Sequence, residues 1–155
     1  MKIVADTNVL LRAIVEDDPT QARLAVKTLE QAETVSVQAL CELTWVLQRS
    51  YDVARSDIAA TIRQLIDTRN VEVNRPAVEA GLAVLDAGGD FGDGVIAYEG
   101  QWLGGETFVS FDQNAVRLVR VQGQAARLLG QAPISRATPS DGHRNTWKQL
   151  LAVNQ

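Results

Sequence analysis

Much of the usual catalytic repertoire is missing from this chain. It holds one histidine, His143, and one cysteine, Cys41. Ser-His-Asp triads, histidine general bases, His-rich metal sites and intramolecular disulfides therefore have no material to work with. Cys41 lies inside the apolar run ALCELTWVL and reads as a small buried hydrophobe. An excess of positive charge is also lacking. The net charge is −4, which argues against broad, nonspecific attraction to nucleic acid while leaving room for a local basic surface. Lysine is scarce: 12 of the 15 cations are arginine. A high-GC coding bias accounts for that skew, although arginine also forks well onto phosphate. No apolar run is long enough to cross a bilayer. The N-terminus, with one lysine and a short apolar stretch ending in Asp6, carries no signal-peptide pattern, so a cytoplasmic protein is expected. Any catalysis must rest on carboxylates.

What is present is an ordinary globular composition, with 46% apolar and 22% charged residues in 155 positions, suited to one domain with a proper core. Short apolar runs at 2–5, 34–37, 71–73 and 107–111 read as strands. Between them, helical spacing appears over 7–16, where Val9, Leu10, Ala13 and Ile14 share a face, and from Asp18-Pro19 to about Gln31. Further helices are expected over 38–51, from Arg55 or Ser56 onward, from Pro76 to about Leu85, over 93–103, and from Asn114. Four strands alternating with helices imply an α/β domain with a mostly parallel sheet. After about Leu129 the texture turns rich in Gly, Pro, Ser and Thr. We expect a compact domain over residues 1–129 and an irregular tail over 130–155, with a short helix at 146–153.

Ligands of open parallel sheets bind beyond the carboxyl ends of the strands. Asp6 follows the first strand and Asp112 follows TFVSF, so both belong at one rim. Taken alone, each reads first as a turn or helix-capping residue. Glu42 falls among Ala39, Leu43 and Val46 on a strongly apolar helix, and its nearest cation along the chain is Arg49. Burial is expected there, and a buried carboxylate needs a partner, either a distant arginine or a cation. In GGDFGDGVIAY, Asp90 and Asp93 stand where a loop meets a helix; one should cap it, and Asp93 heads the face carrying Ile96 and Ala97. Four carboxylates converging without lysine would repel one another unless a positive charge lay between them. Mg²⁺ or Mn²⁺, which take oxygen ligands, are the natural solution.

The order IVADTNVLLR, CELTWVL, DFGDGVIAY and VSFD resembles the PIN domain, and most of all the toxin ribonucleases of VapC-type toxin–antitoxin pairs. The resemblance covers about residues 1–129. It implies a three-layer α/β/α sandwich with a mostly parallel central sheet and a metal-dependent endoribonuclease using Mg²⁺ or Mn²⁺. The family's acidic quartet falls on Asp6, Glu42, Asp93 and Asp112, as catalytic residues and metal ligands. Thr7, Asn8 and Ser110 match supporting positions, and Asp90 stands beside the quartet. The resemblance further implies an RNA substrate, a homodimer and a small cognate antitoxin that covers the acidic site. Arg12 and Arg49 are candidates for holding flanking RNA phosphates. The segment after Leu129 departs from the family's usual end, a short final strand.

Two other readings compete. One is a PIN-like module that binds RNA or a partner without cutting. The other is a phosphoacceptor receiver domain, which needs paired acids after the first strand and a lysine after the last. Here Thr7 and Asn8 follow Asp6, and no lysine lies between Lys27 and Lys148.

Overall fold

The computed structural model describes residues 1–31 and 33–130. The expected tail over 130–155, with its helix at 146–153, lies outside these apart from Gly130. These residues form twelve elements. They are β1 (Ile3–Val4), α1 (Thr7–Val15), α2 (Pro19–Leu29), β2 (Glu33–Thr34), α3 (Val37–Ser50) and α4 (Arg55–Ile66). Then come β3 (Val71–Glu72), α5 (Arg75–Asp86), α6 (Phe91–Trp102), β4 (Phe108–Ser110), α7 (Gln113–Val121) and β5 (Ala126–Leu128). Every strand pairing among the described residues is parallel, and the layering is the three-layer α/β/α sandwich expected from the motifs.

The strands form two ladders, β1-β2-β3 and β4-β5. The fifth strand was not anticipated. A turn at Gly123, with φ of 87°, reverses the chain after α7 and sends Ala126 alongside Phe108. Among the described residues the last strand thus precedes Leu129. The second expected strand is also shorter than its apolar run. Ser36 accepts a hydrogen bond from the Ala39 amide and starts α3 at once, and this capping bond takes Val37 out of the strand.

The main core gathers Leu10, Leu40, Leu43, Leu47, Ile58, Ile62, Leu82 and Phe91. A smaller cluster of Ala97, Val116, Val119 and Ala126 seats α7 against α6 and β5. The stripe of α1 that is covered runs through Thr7, Leu10 and Leu11, one position round from the expected face, because α2 and α3 both pack on it. Ile14 is left exposed.

Glu33 is the exception within this core. It is 0% exposed, sits on the middle strand between Ile3 and Val71, and neither carboxylate oxygen has a partner among the described residues. Burial raises its pKa above the ordinary carboxylate value. In the window between those two values the native state holds a proton that the unfolded chain has released. Stability therefore falls as pH rises through that window. Glu33→Gln should flatten this dependence and be the more stable form at pH 8, because a neutral amide costs less to bury without a partner than a carboxylate does. Urea unfolding of both proteins at pH 5 and pH 8 measures it.

Candidate active site: an acidic rim beside an apolar cleft

Asp6 and Asp112 are placed by the same local device. Each ends a strand segment and caps the helix that follows. Asp6 Oδ2 accepts from the Asn8 amide at 3.2 Å. Asp112 Oδ1 accepts from the Asn114 and Ala115 amides at 2.8 and 3.1 Å. A carboxylate at a helix N-terminus is stabilised by those amides and by the helix dipole. Capping occupies one oxygen of each group and leaves the other for a ligand. Ser110 braces the second corner, its Oγ accepting from the Asp112 amide at 3.0 Å.

Glu42 reaches the rim from α3. It is exposed, not buried as its apolar neighbours suggested. The packed face of α3 runs through Leu40, Leu43, Thr44 and Leu47, which turns Glu42 to the edge of the helix. There the buried Thr7 hydroxyl donates to Glu42 Oε2 at 3.1 Å, joining the residue after Asp6 to the acid of α3. Asn8 contributes its backbone amide to Asp6.

Asp93 sits in the first turn of α6, half-buried. Burial raises its pKa, and the nearby charges of Asp90 and Asp112 raise it further. Asp90 occupies the N-cap position of α6, although its side chain accepts no capping bond. The loop leading to it is pinned from two sides. Arg55 Nε donates to the Gly89 carbonyl at 3.2 Å, and Asn114 Nδ2 to the Gly88 carbonyl at 3.4 Å. Neither residue stands out in the sequence, since each acts through a partner more than twenty positions away.

Glu42, Asp90 and Asp93 share a cleft of about 520 Å³ between α3 and α6. Its walls are otherwise largely apolar, with Cys41, Trp45, Phe91 and Ile96 among them. Cys41 is half-buried, and burial, followed by the charges of Glu99 and Glu42, pushes its thiol up to about 11. Trp45 and Ile96 are 60% and 62% exposed, so Asp93 does lie inward of Ile96 on its helix, but Ile96 itself faces solvent.

The arginines proposed for phosphates are placed differently from each other. Arg12 Nη1 forks onto both oxygens of Asp17 at 2.6 and 2.8 Å, and this hydrogen bond holds the Asp17 carboxyl below its ordinary range. Tyr51 donates to the same carboxylate. Arg49, exposed in the last turn of α3, makes no ion pair among the described residues.

The donor set suits a hard cation. Asp6, Glu42, Asp90, Asp93 and Asp112 form no salt bridge with any described lysine or arginine, and Asp93 faces only like charge. Among the described residues no three acids, cysteines or histidines stand close enough to enclose an ion by themselves. Mg²⁺ does not require such a cage. It keeps several waters and is typically held by one or two carboxylates together with substrate phosphates.

A model of one protein family, the PIN domain, matches residues 3–121. That span takes in all four carboxylates of the expected quartet. No match was found among curated proteins. No described helix is long and apolar enough to cross a membrane.

Proposed function

The chain belongs to the PIN domain family, a nuclease-type fold, and from that premise we propose that it is a metal-dependent endoribonuclease acting as the toxin of a toxin–antitoxin pair. The observation that carries this reading is Asp93: a half-buried carboxylate, surrounded by other carboxylates and lacking any described cationic partner. Such crowding costs stability and is ordinarily found where a site needs the charge.

Asp6, Glu42, Asp93 and Asp112 would hold Mg²⁺ or Mn²⁺, which when bound acidifies water and offsets the charge of a phosphodiester under attack. The chain's own groups do the positioning. Thr7 orients Glu42 through its hydroxyl, and Ser110 fixes the backbone of Asp112. The N-termini of α1 and α7 turn their positive dipole ends to the acidic rim, which steadies the capping carboxylates and favours an incoming phosphate. Arg49 is available to a flanking phosphate, whereas Arg12 would have to leave Asp17. A small antitoxin is the partner that silences the site, and the active form is a homodimer in the cytoplasm.

The test is cleavage of a structured RNA pool by purified protein with Mg²⁺, Mn²⁺ or EDTA, beside Asp6→Asn. Cutting is expected with either metal, none with EDTA and none with the variant. Induced in cells, the wild-type chain should arrest growth and Asp6→Asn should not. RNA binding without cutting in every metal would instead identify a catalytically silent PIN-like module.

A further inference from the structure

We propose that the cleft between α3 and α6 is a nucleobase pocket, in which an unpaired base stacks on Trp45 and donates its amino edge to Asp90. Size is the first argument. At about 520 Å³, the cleft falls within the range of sites for small organic groups, about 300–1,000 Å³, and shares their mostly apolar walls with a few polar groups. Cys41, Trp45 and Gln48 line it from α3 at i, i+4 and i+7, flanking the packed stripe of that helix. Ile96 lines it from α6, and the buried Phe91 forms part of its wall. Trp45 is left exposed there, and an open indole in a concave wall is a face on which a flat ring stacks.

Charge is the second. Glu42, Asp90 and Asp93 line the cleft, and no described lysine or arginine does. That lining repels an anionic group and suits an uncharged one with N–H donors at its edge. Asp90 is the acceptor with least else to do. It lies outside the expected quartet, its side chain takes no capping bond at the start of α6, and it pairs with no described cation. An ionised carboxylate only accepts hydrogen bonds. Guanine presents a ring N–H and an amino group side by side, which matches two carboxylate oxygens. Adenine and cytosine present one amino group. Uracil presents a single N–H between two carbonyl oxygens, which the carboxylate repels. The pocket therefore ranks guanine first and uracil last.

Glu42 and Asp93 line the same cleft, so a base seated in it carries its own phosphodiester to the proposed metal site. This link to cleavage rests on the nuclease reading, whereas base binding does not. A base enters such a pocket only when it is unpaired or flipped out of a duplex. The substrate is thereby restricted to single-stranded or looped RNA, with guanine preferred at one position beside the cut.

Guanosine, a neutral nucleoside, probes the pocket on the full chain without phosphate or metal. The tryptophans are Trp45, Trp102 and Trp147, and their indole N–H signals in nuclear magnetic resonance are assigned with Trp45→Phe and Trp102→Phe. Guanosine should move the Trp45 signal with a Kd of about a millimolar. Trp102 is 77% exposed and outside the cleft; it should stay still, and so controls for indiscriminate stacking. Uridine should bind at least about fivefold more weakly, and Asp90→Asn should remove most of that difference. Trp45→Ala, read by saturation transfer to the guanosine H8 proton, should weaken binding at least about fivefold. A Trp45 signal that guanosine moves no more than Trp102, or a guanosine preference unchanged in Asp90→Asn, would overturn the proposal. A response to arginine amide but to no nucleoside would overturn it in favour of a basic protein segment as the occupant. RNA cutting by a chain whose Trp45 ignores guanosine would remove the pocket and keep the nuclease. Guanosine binding by a chain that cuts no RNA would keep the pocket and remove the nuclease.

Discussion

Asp93→Asn should lower RNA cleavage at least about a hundredfold while leaving the protein as stable as before, or more so. The loss follows from the role proposed for the site. Holding a cation against a phosphate supplies several kcal/mol of charge stabilisation, and each 1.36 kcal/mol is a factor of ten in rate. The unchanged stability follows from the surroundings. Asp93 is half-buried and faces Asp90 and Asp112, and all of these raise its pKa. A carboxyl group whose folded pKa lies above its unfolded value weakens the fold once both states are ionised, so removing its charge relieves that cost at neutral pH. The same shift predicts the pH profile. The proposed role needs Asp93 ionised, so as pH falls, activity and metal affinity should decline before an ordinary carboxylate would protonate. Single-turnover cleavage across pH, with urea unfolding of both proteins, checks rate and stability together. A variant that lost activity and stability in parallel would place Asp93 in the fold instead of in the chemistry.

Gly94→Ala should cost about 3 kcal/mol or more, although alanine is the better helix former by about 1 kcal/mol. A Cβ at Gly94 would lie 2.3 Å from the Ala80 carbonyl oxygen and 2.9 Å from the Gly81 Cα. Both are backbone atoms of α5, so no rotamer change can make room. The two helices would have to separate, opening the contacts of Phe91 and Val95 with Gly81 and shifting Asp93, the adjacent residue of α6. Gly92 is the matched control. It lies in the same helix with nothing within 4 Å of its missing Cβ, and Gly92→Ala should be neutral or stabilising by up to about 1 kcal/mol. Thermal and urea unfolding of the two variants separates the crossing contact from helix propensity. If both variants behaved alike, the close approach of α5 and α6 would not be limiting.

The features legible in the sequence are those decided within a few residues. An apolar run ending in an acid and followed by an apolar helix pattern locates both Asp6 and Asp112, because the capping bond spans two or three positions. For the same reason capping and metal binding are not rival roles for these residues: one oxygen of each caps a helix while the other remains available. The alternation of strand and helix likewise implies parallel pairing, since parallel strands need a crossover between them.

Other features depend on contacts far along the chain. Glu42 has apolar neighbours in sequence, yet it is exposed, because the rotation of α3 is set by Leu40, Leu43 and Leu47 entering the core. Its bond from Thr7 spans 35 positions. The fifth strand has only three residues and gains its identity by lying beside β4. Glu33 looks like a surface residue at the start of a strand and is nonetheless fully covered. By itself, then, the sequence determined the α/β class, the acids and the rim on which two of them stand, through bonds that close within one helical turn. Only the tertiary structure decided which face of each helix is covered, how closely α5 and α6 approach, and that an apolar cleft opens beside the acids, because these depend on packing between segments that local chemistry cannot see.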